Sequence, residues 1–453
     1  MKIAWYTPFS DCSAIGAFSA QVVAALQAMD VAVTVVRSEM QDEGATSAAQ
    51  IATNCPVFWA HHWHRDLEQR ARDFDLFIYN IGDHFPFHAY CMAHLPRVPG
   101  VVILHDYHVH HLLAGCATWD EITLPPYAHM LGRDHGQEAV DSLAEAVAEG
   151  RYGEWIRTEQ PQYPIISDPF EPALGVVAHA EYYRGPCADR LGVPTATIPL
   201  AYRGIFDGRT HPVPQARPRR RLITFGNVNS NKCYPTIIRA LGHDARLAAQ
   251  WEYRIVGDYV ADYRYALEEL VRQQPHAVEL TFTGRVTNDH LAQELRNADA
   301  IACLRHPVLE GASASVIEAL QAARPVLVND IGCYAEIPRE CAYHVNPGGN
   351  ETAMIQRHLR DIHDAPEQAA QKARLASGWA IARHDNSRYA ERLIAFMDEV
   401  LRERPVLELV DHIMQYAAQW SMDSSQSLAR ALETHIHTLF PQSVTKPLDS
   451  SGK

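Results

Sequence analysis

Residues 300–320, Ala300-Ile-Ala-Cys-Leu-Arg-His-Pro-Val-Leu-Glu-Gly-Ala-Ser-Ala-Ser-Val-Ile-Glu-Ala-Leu320, decide how this chain is read. A short apolar run, Ala300 to Leu304, gives way to a polar loop and then to a run of helix formers, the strand-loop-helix unit of a parallel sheet. Working outward, the same unit recurs on both sides. Towards the C-terminus it appears at Val326 to Val328 and Tyr343 to Val345, and towards the N-terminus at Glu279 to Thr283, Tyr253 to Val256 and Arg221 to Phe225. A second series lies at Ile3 to Thr7, Val31 to Arg37, Leu76 to Asn80, Val101 to Leu104, Gly175 to Ala178 and Ala196 to Leu200. Strands apolar throughout are covered on both faces, so two sets of about six predict two doubly wound α/β domains.

A length of 453 residues agrees with two domains. Between the two series, His211 to Arg221 carries three prolines and then a basic run, which reads as a linker. The expected division is residues 1–205, a linker at 206–218, a second domain at 219–385, and C-terminal helices and tail at 386–453. In that last part Tyr389 to Arg402, 406–420 and 426–440 read as three helices. Residues 117–170 are too long for an ordinary connection and read as a helical insertion over the cleft between the domains.

The formal charge of −14 argues against binding to nucleic acid or to an anionic membrane. The charge is lopsided: residues 1–200 hold 11 Lys and Arg against 24 Asp and Glu, and the remainder is nearly balanced. The second half is therefore the better place for an anionic ligand. Nine cysteines are dispersed without a Cys-x-x-Cys pair, the pattern of reduced thiols, and point to a cytoplasmic protein. No apolar run has the length of a membrane span.

Within the opening stretch, Glu310 and Glu318 flank a helix start. Gly311 lets backbone approach a ligand, and the amides around Ala312 and Ser313 suit a phosphate. As isolated residues the two glutamates would be solvated helix carboxylates; the loop, the glycine and the helix make a site of them. A second cluster, Phe225-Gly-Asn-Val-Asn-Ser-Asn-Lys232, joins a strand-end glycine to a lysine without the Gly-Lys-Ser/Thr of a Walker loop. In the first half, Val101-Val-Ile-Leu-His-Asp-Tyr-His-Val-His-His111 ends a strand in a histidine-rich loop, and His61, His62 and His64 lie elsewhere. Such spacings can chelate zinc, which leaves a metal-dependent hydrolase as an alternative.

These residues resemble family 4 of the retaining glycosyltransferases, which have the GT-B fold, and in particular bacterial polysaccharide-biosynthesis members. The family's Glu-x7-Glu signature is matched by Glu310-Gly311 and by Glu318-Ala-Leu-Gln-Ala-Ala-Arg-Pro-Val326, with Ala323 in place of a usual glycine. The resemblance implies that Glu310 contacts the donor sugar, Glu318 the ribose, and Gly311, Ala312 and Ser313 the sugar and diphosphate. It places Gly226, Asn227 and Lys232 in the donor-binding Gly-Arg-x-x-x-x-Lys element and implies a diphosphate contact from Lys232; Asn227 stands where arginine is common, and Arg305 could supply the missing charge. Val286, in Gly284-Arg-Val286, corresponds to a loop near the nucleobase. Gly16 corresponds to a loop where the donor approaches the backbone. His105, in a His-Asp pair, would face the donor sugar from the other side. Asp106, His108 and His88 fall to the acceptor side, with Asn80 and His179 as further strand-end groups.

The expected reaction is transfer of a sugar from a nucleotide diphosphate sugar to a carbohydrate, lipid-linked or protein-borne acceptor, without a cofactor or metal. A nucleotide-sugar-binding protein without turnover is the remaining alternative, kept open by Asn227 and Ala323.

Overall fold

The computed structural model describes residues 1–40, 49–206 and 217–419. The first domain is one parallel sheet of seven strands: β1 (Lys2–Thr7), β2 (Ala32–Arg37), β3 (Val57–Trp59), β4 (Leu76–Ile81), β5 (Val101–Leu104), β6 (Gly175–Ala178) and β7 (Thr195–Thr197), in the order β3-β2-β1-β4-β5-β6-β7. The second sheet has six parallel strands: β8 (Arg220–Phe225), β9 (Trp251–Val256), β10 (Glu279–Phe282), β11 (Ala300–Cys303), β12 (Val326–Asn329) and β13 (Tyr343–Val345), in the order β10-β9-β8-β11-β12-β13. All twelve expected strands are present. The thirteenth, β3, is a three-residue edge strand paired only to β2.

The central strands are apolar because both faces are covered. All of β4, β5 and β6 is buried, and each sheet separates two hydrophobic clusters. In both sheets the order reverses beside the first strand, between β1 and β4 and between β8 and β11. Loops leaving the carboxyl ends diverge there, and the crevice between them is where open α/β sheets bind ligands.

Two expectations change. The 117–170 insertion is helical, with helices at Tyr127–His135, Gln137–Ala148 and Tyr152–Thr158, but it does not roof the cleft. Met130, Leu131, Trp155, Ile165 and Phe170 join the cluster on one face of the first sheet, and Trp155 donates to Ser142 Oγ at 2.8 Å. Its apolar side chains have a whole sheet face to cover, which outweighs any bridging role. The expected helices at 389–402 and 406–420 are one helix, Asn386–Gln419, with Pro405 inside it. Proline removes a single N–H donor, and the rest of a long helix carries that loss. The third expected helix, 426–440, and residues 207–216 of the linker lie outside the described residues. The long helix returns to the first domain, where Tyr389, Leu393, Phe396, Met397 and Val400 join the other face of its sheet.

Candidate functional site

The loop after β11 and the loop after β5 meet edge to edge. Asp106 and Glu310 form an isolated antiparallel bridge. Gly311 N–H donates to His105 O at 2.9 Å and His108 N–H to Leu309 O at 3.3 Å, while Tyr182 Oη donates to Glu310 O at 2.9 Å. Gly311 is therefore required by its neighbour domain: a Cβ there would lie 2.4 Å from Tyr183 Oη and 2.8 Å from His105 O. The backbone at Gly311 thus makes an interdomain contact at the edge of the cleft. Beside it opens a cleft of about 670 Å³, lined from the second domain by Glu310 and residues 312–315 and from the first by Ser13, Asp83, His88, His105 and Asp106.

On the second-domain wall, the helix Ala314–Gln321 begins at the cleft, so its first-turn amides and partial positive charge face it. Arg305, buried, extends Nε to 3.5 Å from Glu310 Oε1 and donates to Ser315 Oγ at 3.1 Å. Tyr334 Oη donates to the same Glu310 oxygen. Lys232 is buried beside them, with Nζ 2.7 Å from Phe225 O. Burial first, and then the Arg305 charge, push its pKa down to about 7. The loops carrying these two cations are joined by His306 N–H donating to Asn231 O at 2.8 Å. Gly226 has φ 83°, and Lys232 Nζ would lie 2.9 Å from a Cβ there. Asn227 is exposed. Val286 is half-buried against the second-domain core, next to a ledge in which Gly257 pairs with Gly284 and a Cβ on Gly257 would fall 2.2 Å from Gly226 O.

Glu318 lies deeper, 2 % exposed. Both its oxygens are held by the segment leading out of the first domain: Tyr202 Oη donates to Oε2 at 2.7 Å and Ile205 N–H to Oε1 at 2.9 Å. Gly204 N–H donates to Gln321 Oε1 at 3.1 Å. Burial raises the Glu318 pKa, and the two donors oppose that rise.

On the first-domain wall, His179 Nδ1 stands 3.0 Å from Ile198 O, so that nitrogen carries the proton. Burial pushes the His179 pKa down to about 4, and its Nε2 lies 3.2 Å from His105 Nδ1. Burial, then His179 and His88, hold His105 well below the ordinary histidine value. Its Nε2 pairs with Asn80 Oδ1 at 3.2 Å, and Asn80 Nδ2 donates to Tyr6 O at 2.9 Å. His88 Nδ1 donates to Asn80 O at 2.9 Å, and burial lowers its pKa to about 3. Asp106 Oδ2 accepts from Asp83 N–H at 2.9 Å; burial, with Asp83 and Glu310 adding repulsion, raises its pKa to about 7.

Gly16 lies inside the helix Ala14–Gln27, where its amide donates to the capping Ser13 Oγ and a Cβ would lie 2.6 Å from Pro8 O. Its neighbours Ser13, Ala14, Ile15 and Ala17 line the cleft. His108 is buried with His110 at the insertion; His110 pairs with Tyr127 Oη at 3.1 Å, and His111 pairs with Asp83. The clustered histidines thus face different partners, and among the described residues no three His, Cys, Asp or Glu side chains are grouped to hold a metal ion. Tyr182, Tyr202, Tyr334 and Gln321 were invisible as site residues; each acts across a long sequence separation, as the 128-residue interval between Tyr182 and Glu310 illustrates.

Two Rossmann-like parallel-sheet domains meeting at a cleft, with a C-terminal helix crossing back to the first, are the GT-B fold. Residues 219–364 match the family described as glycosyl transferases group 1. No curated protein sequence matches the chain. Among solved structures, HepE of Anabaena, in complex with UDP and glucose, is similar with a TM-score of 0.56 and 14% identity over 88% of this chain and 99% of that one. The sucrose-phosphate synthase of Thermosynechococcus elongatus has a TM-score of 0.59 and 13% identity over 89% and 99%. A glycosyltransferase of Rickettsia africae has 0.57 and 12% over 88% and 98%.

Proposed function

We propose that the protein is a nucleotide-sugar glycosyltransferase, moving a sugar from a nucleotide diphosphate donor to an acceptor hydroxyl. The observation that carries this reading is the meeting of Lys232, Arg305, Glu310 and a helix N-terminus at the switch point of the second sheet, across the cleft from His105 and Asp106. Two buried cations and a helix terminus suit a diphosphate leaving group. The glycosyl transferases group 1 match over these residues, and the UDP bound by HepE, support a uridine diphosphate donor.

In this reading Glu310, oriented by Arg305 and Tyr334, accepts hydrogen bonds from the donor sugar, and neutral His105 faces the sugar from the opposite wall. Transfer is retaining and metal-independent: the bond from the anomeric carbon to phosphate breaks, a bond to the acceptor oxygen forms on the same face, and the departing phosphate oxygen takes the acceptor proton. Asp106 and His88 border the acceptor. The acidic first domain favours a neutral, soluble or protein-borne acceptor over an anionic lipid headgroup. We place the protein in the cytoplasm; among the described residues no helix is long and apolar enough to cross a membrane.

A thermal-shift panel of UDP, GDP, ADP and dTDP tests the binding step, since a ligand at 100 times its Kd adds about 2.7 kcal/mol. One nucleotide raising Tm in wild type but not in Lys232→Ala supports the reading, and no shift with any of them sinks it.

A further inference from the structure

A second cavity, of about 270 Å³, lies where the first domain meets the turn between the helices Pro366–Arg383 and Asn386–Gln419. Its rim carries three guanidinium groups, Arg383, Arg388 and Arg392, and its apolar wall includes Pro199, Trp379 and Tyr389. None of these six residues borders the 670 Å³ cleft. The three cations are only partly compensated. Arg383 lies 3.6 Å from Glu336 and stacks 5.4 Å from the Trp379 ring centroid. Glu181, paired with Arg184, also feels the Arg383 charge. The Arg388 side chain donates to Ala382 O at 3.0 Å, and its backbone N–H donates to Asp385 Oδ1 at 2.9 Å. Arg392 is exposed and has no hydrogen-bond or ion-pair partner among the described residues. Arg388 and Arg392 are one helical turn apart and point to one side, a fork that matches the oxygens of a phosphate.

We propose that this cavity binds a phosphate monoester carried on a small apolar or aromatic body, separately from the donor cleft. Three guanidiniums on an otherwise acidic chain select a multiply charged anion, and Trp379, Tyr389 and Pro199 select an apolar body. The volume is well under half that of the cleft and falls just below the range of ~300–1,000 Å³ of common ligand sites, too small for a nucleotide sugar. Occupancy reaches the donor side through a short path. His384 Nδ1 donates to Leu200 O at 2.8 Å, and Tyr202 N–H donates to His384 O at 2.9 Å. The Tyr202 hydroxyl in turn holds Glu318. A ligand that tightens Arg383 and Arg388 therefore tightens the segment joining the domains.

The test is calorimetric titration of the full chain with phenyl phosphate, with phenol as the uncharged control. One site is expected for phenyl phosphate and none for phenol. The exposed substitution Arg392→Ala should weaken binding about tenfold and Arg388→Ala with Arg392→Ala further, the loss of charge-assisted hydrogen bonds. Lys232→Met and saturating UDP should shift the affinity without abolishing binding. Vesicles of phosphatidylcholine with phosphatidic acid separate the two sources of the same group: no sedimentation with them assigns the site to a soluble phosphomonoester, and sedimentation abolished by the double substitution assigns it to a headgroup. The proposal is overturned if the double variant binds phenyl phosphate as wild type does, if UDP or Lys232→Met abolishes binding, or if neither phenyl phosphate nor the vesicles bind.

Discussion

Tyr202→Phe removes one atom and tests how the two domains hold Glu318. The Tyr202 hydroxyl donates at 2.7 Å to a carboxylate oxygen that is shielded from water. The ring remains in the variant, so packing is kept and only the hydrogen bond is lost. A charge-assisted bond of this kind contributes about 1.5–3 kcal/mol. At roughly 2–4 °C per kcal/mol for a domain of this size, Tm should fall by ~3–12 °C at pH 7.5. The loss should also depend on pH. Burial raises the Glu318 pKa, and the Tyr202 donor opposes that rise; removing the donor raises it further. A carboxyl whose folded pKa exceeds its unfolded value destabilises the protein as pH rises through the interval between them, so the extra penalty of the variant is complete only above that interval. Thermal melts of both proteins from pH 5 to 8 should therefore show a gap that widens with pH. A gap below 1 °C at pH 7.5, or one that is constant across the range, refutes the reasoning.

Other consequences follow from the same geometry. Gly311→Ala forces a methyl group against Tyr183 Oη and His105 O; it should cost about 1–3 kcal/mol in chemical denaturation and lower transfer, whereas Gly153→Ala, with nothing within 4 Å of its Cβ, should be neutral or stabilising by about 0.5–1 kcal/mol. Lys232, with its pKa lowered to about 7, should take up a proton when a diphosphate binds above neutral pH, seen as a dependence of binding enthalpy on buffer ionisation; equal enthalpies in phosphate and Tris at pH 8 would contradict it. Asp106 titrates at about 7, so an inflection of the pH–rate profile near neutrality should vanish in Asp106→Asn. Of the nine cysteines only Cys12 is exposed, so one thiol should react rapidly with a disulfide reagent in the native protein, and none in Cys12→Ser.

The doubly wound architecture was legible because its evidence is local. Val101–Leu104 and Gly175–Ala178 are apolar throughout since both faces of a parallel strand are covered, and length and flanking residues mark them. Val57–Trp59 escaped notice because a three-residue edge strand has no period to detect. The site was half legible. Glu310, Lys232 and Arg305 stand in strand-end loops whose positions the strand pattern fixes. The closeness of Tyr183 to Gly311 had no local sign, and Glu318 answers to Tyr202 and Ile205 from the other domain. Such contacts depend on how two domains meet, which no local pattern encodes. Ala323 is instructive in the other direction: it adopts φ 52°, the left-handed conformation for which the motif's usual glycine is suited.

The central claim is that Glu310, Lys232 and the cleft beside them turn over a nucleotide sugar. Release of nucleoside diphosphate from a panel of nucleotide sugars, measured for wild type, Glu310→Ala and Lys232→Ala proteins of matched fold, tests it most directly. Wild type should turn over a uridine diphosphate sugar, and each variant should lose about 100-fold or more of that rate. Near wild-type release by both variants, or no release by wild type from any donor, would contradict it.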